Sequence, residues 1–172
     1  MRDRTRFLAN GAALLGVCLM LSYLEALLLP SPLPGVKLGI ANITVVYTAF
    51  RYSIGMAAAV SLSRILLQFF LFGGGASVLF SLAGGVAVLV LLAVVRKLPS
   101  FCSYIGISVL CAFIHTAAQL CFAVIFFRTA AILWNYGGIL LLCAVVCGFG
   151  TGAICNLIDP VLQKALRHTQ AS

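Results

Sequence analysis

The chain of 172 residues is 63% hydrophobic and only 8% charged, and its formal net charge is +8. A soluble domain carries about 25% charged residues, so this composition excludes a water-covered globule and indicates an integral membrane protein. Only three residues are acidic, namely Asp3, Glu25 and Asp159. This excludes an Asp-rich magnesium site, a pair of adjacent catalytic carboxylates and an acidic metal cage.

The apolar stretches predict a six-helix, all-α bundle that forms a single transmembrane domain over residues 1–172. The five prolines fall between stretches that approach the ~20 residues needed to cross a bilayer. Helices are predicted at 7–28, 38–50, 54–72, 77–95, 103–127 and 131–157, followed by a cytoplasmic tail over 158–172. The second helix, at about 13 residues, is either a short tilted span or a re-entrant segment.

The first apolar stretch follows the basic segment MRDRTR, an arrangement that also occurs in secretory signals. The stretch is longer than the apolar core of a signal peptide and contains Glu25, and no convincing small-residue cleavage site precedes the next loop. We therefore expect the first helix to be retained.

The basic residues are distributed unevenly across this topology. With six spans and an inner N-terminus, Lys37 and Arg128 lie outside and Arg64 lies within the membrane. The inner side holds Arg2, Arg4, Arg6, Arg51, Arg96, Lys97, Lys164 and Arg167. The positive-inside rule therefore predicts that both termini are cytoplasmic. The positive charge reflects topology, so no nucleic-acid partner is expected.

Polar side chains inside the predicted helices are the functional candidates, because an ionisable group in a bilayer is costly unless it is paired or faces water. Arg64 and Gln68 are four residues apart on helix three, and His115 and Gln119 are four apart on helix five, so each pair shares a helix face. Glu25 is predicted at the same depth, in the outer half of the membrane. Convergent polar groups in an apolar setting predict a small-molecule pocket. The predicted substrate-binding residues are Glu25, Lys37, Asn42, Arg64, Gln68, His115, Gln119, Trp134 and Asn135.

Purely structural roles for these residues remain open alternatives. Arg64 can pair with Glu25 and lock two helices together, and His115 can bond to a backbone carbonyl in the core. Trp134 can belong to an interfacial aromatic belt. The two glutamines can join neighbouring helices through hydrogen bonds.

Catalysis and metal binding find no support in the sequence. The cysteines form no CxxC pair, and no histidine or third cysteine lies near Cys143 and Cys147, which favours a structural role. There is no Ser-His-Asp set, P-loop or nucleotide fingerprint. We therefore expect no enzyme activity, cofactor or bound metal, and transport would draw its energy from partner subunits or an ion gradient.

Small residues recur four apart on the first helix, with Ala9 and Ala13 forming one pair and Ala12 and Gly16 another. Such spacing lets a second helix approach closely. The pattern predicts either packing within the chain or docking of a separate membrane subunit.

The segment LPGVKLGIANI over 33–43, with Tyr23-Leu24-Glu25 before it, resembles bacterial membrane proteins named the Gx transporter family or heptaprenyl diphosphate synthase component I. These resemble the substrate-binding S components of energy-coupling factor (ECF) transporters. The resemblance implies six helices, cytoplasmic termini and an outer pocket beneath the loop that joins helices one and two.

The same resemblance implies a location in the bacterial plasma membrane and a role for two further parts of the chain. S components dock through an AxxxA pattern on helix one to a membrane coupling protein served by two ATPases, and Ala9 and Ala13 match that pattern. The loop over 29–37 would form a lid stiffened by Pro30, Pro32 and Pro34.

The expected function is that of a substrate-capturing membrane subunit for uptake of a vitamin-, quinone- or isoprenoid-precursor-like molecule. Substrate would enter between the outer ends of helices one, three, five and six. One alternative is a non-catalytic membrane accessory of heptaprenyl diphosphate synthase, since the chain lacks the paired Asp-rich motifs of prenyl diphosphate synthases. A stand-alone secondary transporter is the other.

Overall fold

The computed structural model describes residues 2–28, 37, 39–72, 75–97 and 103–171, and every regular element among them is helical. A π-helical turn, Leu133–Gly137, leads directly into the last helix. The α-helices are α1 Arg2–Leu28, α2 Asn42–Arg51, α3 Ile54–Phe72, α4 Gly75–Val95, α5 Tyr104–Phe127 and α6 Gly138–Ala171. The predicted all-α class and the six helices are confirmed for these residues.

Five segments are long and apolar enough to cross a membrane, namely Phe7–Leu27, Ile54–Leu71, Gly75–Val95, Tyr104–Phe127 and Leu133–Leu157. Their outer surfaces carry large apolar side chains, among them Phe70, Ile125 and Leu142, which are more than half exposed. A helix that is apolar on its outer face as well as its inner one is suited to lipid. The protein is therefore a multi-pass membrane protein.

The short helix α2 lies inside the bundle rather than among the long spans. Its ten residues rise only ~15 Å, and most of them are buried. Gly39, which precedes α2, contacts Glu25 of α1, and Met56, which follows α2, contacts Gly11 of α1. Gly11 and Glu25 are 14 residues apart on α1. Fourteen helical residues rise ~21 Å, so the segment from 39 to 56 traverses the core alongside α1.

The helix ends differ from the prediction at several places. α1 begins at Arg2 rather than at 7, α2 begins at Asn42 rather than at 38, and α4 begins at Gly75. The largest difference is α6, which continues to Ala171 through the segment predicted as a solvated tail. That segment is rich in leucine, glutamine, lysine, arginine and alanine, all strong helix formers, which outweigh the single Pro160.

Close packing of α5 on α6 depends on two glycines. A Cβ atom on Gly148 would lie 2.7 Å from the Cα of Val109, and one on Gly152 would lie 2.5 Å from the Cα of Ile105. α5 also packs against α4, and α4 against α3. α1 packs on α2 and α3 but is the most peripheral span, with 11% of its apolar window buried against 33–39% in the other four.

Candidate functional site

Three helices converge on the backbone that precedes α2. Glu25 near the end of α1 accepts a hydrogen bond at Oε1 from the N–H of Gly39, with an N–O distance of 2.7 Å. Gln119 of α5 accepts at Oε1 from the N–H of Lys37 at 2.9 Å, and Gln68 of α3 accepts from the Lys37 Nζ at 3.2 Å. We call Lys37 and Gly39 the strap, and the end of the bundle that holds it the site end.

The hydrogen bonds of Gln119 determine the protonation of His115. The Lys37 N–H can only donate, so its partner on Gln119 is the amide oxygen, and the amide nitrogen is left facing His115 Nε2 at 3.0 Å. An amide nitrogen can only donate, so His115 Nε2 accepts and carries no proton. His115 is therefore a neutral imidazole with its proton on Nδ1.

Two glycines make room for this imidazole. A Cβ on Gly84 of α4 would lie 2.5 Å from His115 Cε1, and one on Gly39 would lie 3.1 Å from His115 Cδ2. Gly39 also has a φ of +86°, a conformation that favours glycine. Its carbonyl accepts from the N–H of Asn42 at 2.9 Å, which closes the turn into α2. Gly39 therefore connects the strap to α2 while lying against His115.

The charges around the strap do not balance. Lys37 and Arg64 are cationic, Glu25 is anionic and His115 is neutral by the argument above. Arg64 is only 4% exposed and its Nε has no hydrogen-bond partner, and neither does the buried Nδ2 of Asn42. The described partner of the Glu25 carboxylate is the Gly39 backbone rather than the Arg64 guanidinium. The cluster thus carries an excess of positive charge, and Lys37 is its one charged side chain that lines the neighbouring cavity.

The pKa of the Lys37 ammonium reflects its burial and the charges around it. Burial lowers its pKa from the usual 10.5, and the nearby positive charge of Arg64 lowers it further, while Glu25 acts in the opposite direction. A ligand with negative charge beside Lys37 would favour its protonated form.

A cavity of about 330 Å³ opens beside the strap between α1, α3 and α4, within the size range of small-molecule sites. Lys37 lies at its edge. Its polar lining residues are Ser22, Tyr23, Lys37, Gln68, Ser77 and Ser81, and its apolar wall includes Ala26, Leu27, Ile65, Phe69 and Val78. The combination of an apolar wall, a few polar groups and one ammonium can hold a small amphipathic molecule in a fixed orientation.

The structure brings seven of the nine predicted site residues together and separates two. Glu25, Lys37, Asn42, Arg64, Gln68, His115 and Gln119 are the members of the strap cluster. Trp134 is 86% exposed and Asn135 is also exposed, and both lie outside this cluster. Of the nine residues, Lys37 and Gln68 are the two that line the cavity. In the segment 131–140 the buried positions are Ile132, Gly137 and Leu140. Because these positions face the bundle, the residues at 134–136 point away from it.

The cavity does not coincide with the predicted entrance for substrate. The cavity lies between α1, α3 and α4, not between helices one, three, five and six. The strap occupies the space between α1 and α5, so that His115 and Gln119 support it without lining the cavity. The predicted lid with Pro30, Pro32 and Pro34 lies outside the described residues.

Serine side chains that the sequence analysis did not single out form much of the polar wall. Ser77 and Ser81 are four residues apart on the otherwise apolar α4, and Ser22 lies one turn before Glu25. This i,i+4 spacing on one face is the signal that could have identified them. Among the described residues, no group of three or more His, Cys, Asp or Glu side chains is placed to hold a metal ion.

The small residues of α1 lie at the opposite end of the bundle from the strap. Ala9 and Ala13, the predicted docking residues, are both exposed, as are Ala12 and Gly16. A groove of about 380 Å³ runs between α1 and the start of α3 with Gly11 and Ala12 in its wall, but Ala9 and Ala13 do not line it. The face of α1 that carries Ala9 and Ala13 is open to a neighbouring helix.

Comparison with known proteins identifies the family to which the chain belongs. The family model for heptaprenyl diphosphate synthase component I matches residues 14–158, a range that contains the strap and all the side chains that hold it. No curated protein and no solved structure matches the chain. The match agrees with the resemblance noted for residues 33–43. The chain therefore belongs to the heptaprenyl diphosphate synthase component I family.

Proposed function

We propose that this protein is the substrate-capturing membrane subunit of a small-molecule uptake transporter in the bacterial plasma membrane. The observation that carries the proposal is the cavity beside Lys37, which lies at one end of a bundle whose outer surface is otherwise apolar. The site end faces outward in this proposal, and both termini are cytoplasmic in accordance with the positive-inside rule.

The strap explains how substrate would be recognised. The Lys37 backbone is held by Gln119, whereas its ammonium is held only by the neutral Gln68 among the described partners. An anionic or carbonyl group in the cavity can take the ammonium from Gln68 while the backbone anchor remains in place. The substrate class proposed is a vitamin-, quinone- or isoprenoid-precursor-like molecule that carries such a group on a mostly apolar body.

The energy for uptake would come from other subunits. We propose an ECF-type coupling protein with two ATPases, which would dock on the exposed small residues Ala9 and Ala13. Two observations support this surface, namely the low burial of α1 and the exposure of Ala9 and Ala13 themselves. Small residues at such a face permit the close helix contacts on which association in lipid depends.

The test is a tagged pull-down from native membranes in mild detergent, with the captured proteins identified by mass spectrometry. We expect a membrane coupling protein and two ATPases with the wild type. Ala13→Trp should lose them, whereas Leu142→Trp should retain them, because Leu142 is 68% exposed on α6 and faces lipid elsewhere. Equal capture by both variants would contradict docking on α1.

The family description favours a second candidate, a non-catalytic membrane accessory of heptaprenyl diphosphate synthesis. This candidate predicts that the same pull-down yields a soluble, Asp-rich prenyl synthase subunit and no ATPase. That result would replace the transport proposal.

A further inference from the structure

Among the described residues, the wall of the cavity beside the strap carries one charged group, the ammonium of Lys37. Its described hydrogen-bond partner is the neutral Oε1 of Gln68, at 3.2 Å. The remaining polar lining residues carry uncharged hydroxyl groups, namely Ser22, Tyr23, Ser77 and Ser81. A negatively charged ligand group in this cavity would therefore meet a single full positive charge.

The sequence around the cavity supplies no further charge. Residues 26–50 include the whole connection from α1 into α2, and Lys37 is the only charged residue among them. Residues 65–95, from the middle of α3 to the end of α4, contain no charged residue. Arg128 follows α5 at the same end of the bundle, but it lies ~14 Å beyond Gln119 along the helix axis and does not line the cavity.

The buried charges behind the wall leave room for one negative charge. Arg64 is 4% exposed and Glu25 is 3% exposed, and the charges of both act on Lys37. Two cations and one anion leave one positive charge. The start of α4 at Gly75, close to the lining residue Ser77, adds about half a charge through the helix dipole. One negative charge on a ligand would be compensated here, whereas a second would remain uncompensated beside a mostly apolar wall, which is costly.

We propose that the cavity selects a small molecule with a single negative charge, carried by a carboxylate. One carboxylate oxygen binds the Lys37 ammonium, and the body of the molecule lies against the apolar wall that includes Ile65, Phe69 and Val78. Diphosphates and phosphate esters are rejected, since even one phosphate group carries about 1.5 to 2 negative charges at neutral pH. This inference rests on the proposed function and narrows its substrate class from an anionic or carbonyl group to a carboxylate.

The test measures how matched probes protect Lys37 of the full chain in detergent from reductive methylation by formaldehyde and cyanoborohydride. The probes share a phenylbutyl body and differ in the end group, namely 4-phenylbutanoate, 4-phenylbutanamide and 4-phenylbutyl phosphate. Mass spectrometry quantifies methylation at each lysine, and the exposed Lys97, which follows the far end of α4, is the internal control.

We expect 4-phenylbutanoate to protect Lys37 at a concentration about tenfold lower than the other two probes need, and to leave Lys97 unprotected. A carboxylate that does no better than the amide would show that charge plays no part. Equal or stronger protection by the phosphate would overturn the limit of one negative charge, and protection by none of the three probes would overturn the site itself.

A second positive charge should reverse this selectivity. Ser77→Lys places another ammonium in the half-buried wall of the cavity and should shift the preference toward the phosphate by about tenfold. Ser77→Gln is the matched control, because it fills similar space without charge and should weaken all three probes while keeping their order. An unchanged preference in Ser77→Lys would contradict the proposal. If Ser77→Lys does not fold, the order of the three probes on the wild type decides.

These outcomes are distinguishable from the test of transport. A pull-down without a coupling protein and ATPases would contradict the transport proposal and leave the order of the probes at Lys37 unchanged. A preference of the wild type for the phosphate would overturn the carboxylate and leave the transport proposal standing.

Discussion

The two ends of the bundle are stabilised by different interactions, hydrogen bonds at one end and close helix packing at the other. At the site end, Glu25, Gln68 and Gln119 from three helices hold the strap by hydrogen bonds. At the opposite end, Gly148 and Gly152 let α6 approach the backbone of α5 closely. The difference teaches that close packing and the hydrogen bonds of the strap stabilise different ends of the bundle, so each can be perturbed by substitutions of its own.

The largest effect is expected at the close-packed end. Gly152→Ala places a methyl group 2.5 Å from the Ile105 Cα, which is backbone and cannot rotate away. We expect a loss of about 3 kcal/mol in unfolding free energy, at the upper end of overpacking effects. The measurement is chemical unfolding in detergent, together with the yield of monodisperse protein.

Gly150→Ala is the matched control, because nothing lies within 4 Å of a Cβ at that position. It should be neutral or slightly stabilising, since alanine is the better helix former. If both variants lose the same free energy, close packing of α5 and α6 does not hold this end together.

The next effect concerns the anchor of the strap. Glu25→Ala leaves the Gly39 N–H without its acceptor, and the loss of a hydrogen bond to a charged group costs about 2 kcal/mol. Glu25→Gln keeps an acceptor oxygen and should lose much less. Unfolding free energy and the exchange rate of the Gly39 amide hydrogen are the two measurements. Equal losses in the two variants would show that the charge, and not the hydrogen bond to Gly39, is what matters.

A smaller effect is expected behind the strap, where Gly84 lies against His115. Gly84→Ala forces the imidazole to move, because its Cβ would lie 2.5 Å from two ring atoms. We expect Gly84→Ala to lose less unfolding free energy when His115→Ala is also present, with a coupling energy of about 1 kcal/mol in a double-mutant cycle. Gly138→Ala, with nothing within 4 Å of its Cβ, should show no coupling with His115→Ala. Additive losses in the Gly84 cycle would contradict the contact.

The smallest effect is a pH dependence set by Lys37. Burial lowers the pKa of Lys37 below its usual 10.5, so in the pH window just below 10.5 the unfolded chain binds more protons than the folded one. Stability should therefore rise with pH in this window. Binding of an anionic ligand should fall over the same window, because it needs the protonated ammonium. Lys37→Met should lose both trends, and a wild type in which stability and binding change in the same direction would contradict this account.

Much of this architecture can be predicted from sequence, and the exceptions have physical causes. The long spans follow from hydropathy, and the pairs Arg64 with Gln68 and His115 with Gln119 share a face as their spacing predicts. Trp134 and Asn135 turn away because the π-helical turn Leu133–Gly137 and the burial of Gly137 determine which face meets α5. No local pattern indicates such a rotation.

The strap shows a second limit of sequence-based prediction. The contact of Gly39 with His115 joins residues far apart in the chain, and it depends on Gly84 from a third element. Hydropathy locates each helix but not how neighbouring helices are rotated against one another. The cavity between α1, α3 and α4 was therefore not predicted, and neither were its serines on α4.

The most direct test of the central claim is to identify small molecules that co-purify with the protein by mass spectrometry. The wild type is compared with Lys37→Met and with Ser77→Phe, which fills the cavity from its half-buried wall. We predict that the wild type releases a compound with an anionic or carbonyl group, and that both folded variants release far less of it. If Ser77→Phe retains the same compound in the same amount, or if the wild type releases none, the cavity beside the strap is not a substrate site.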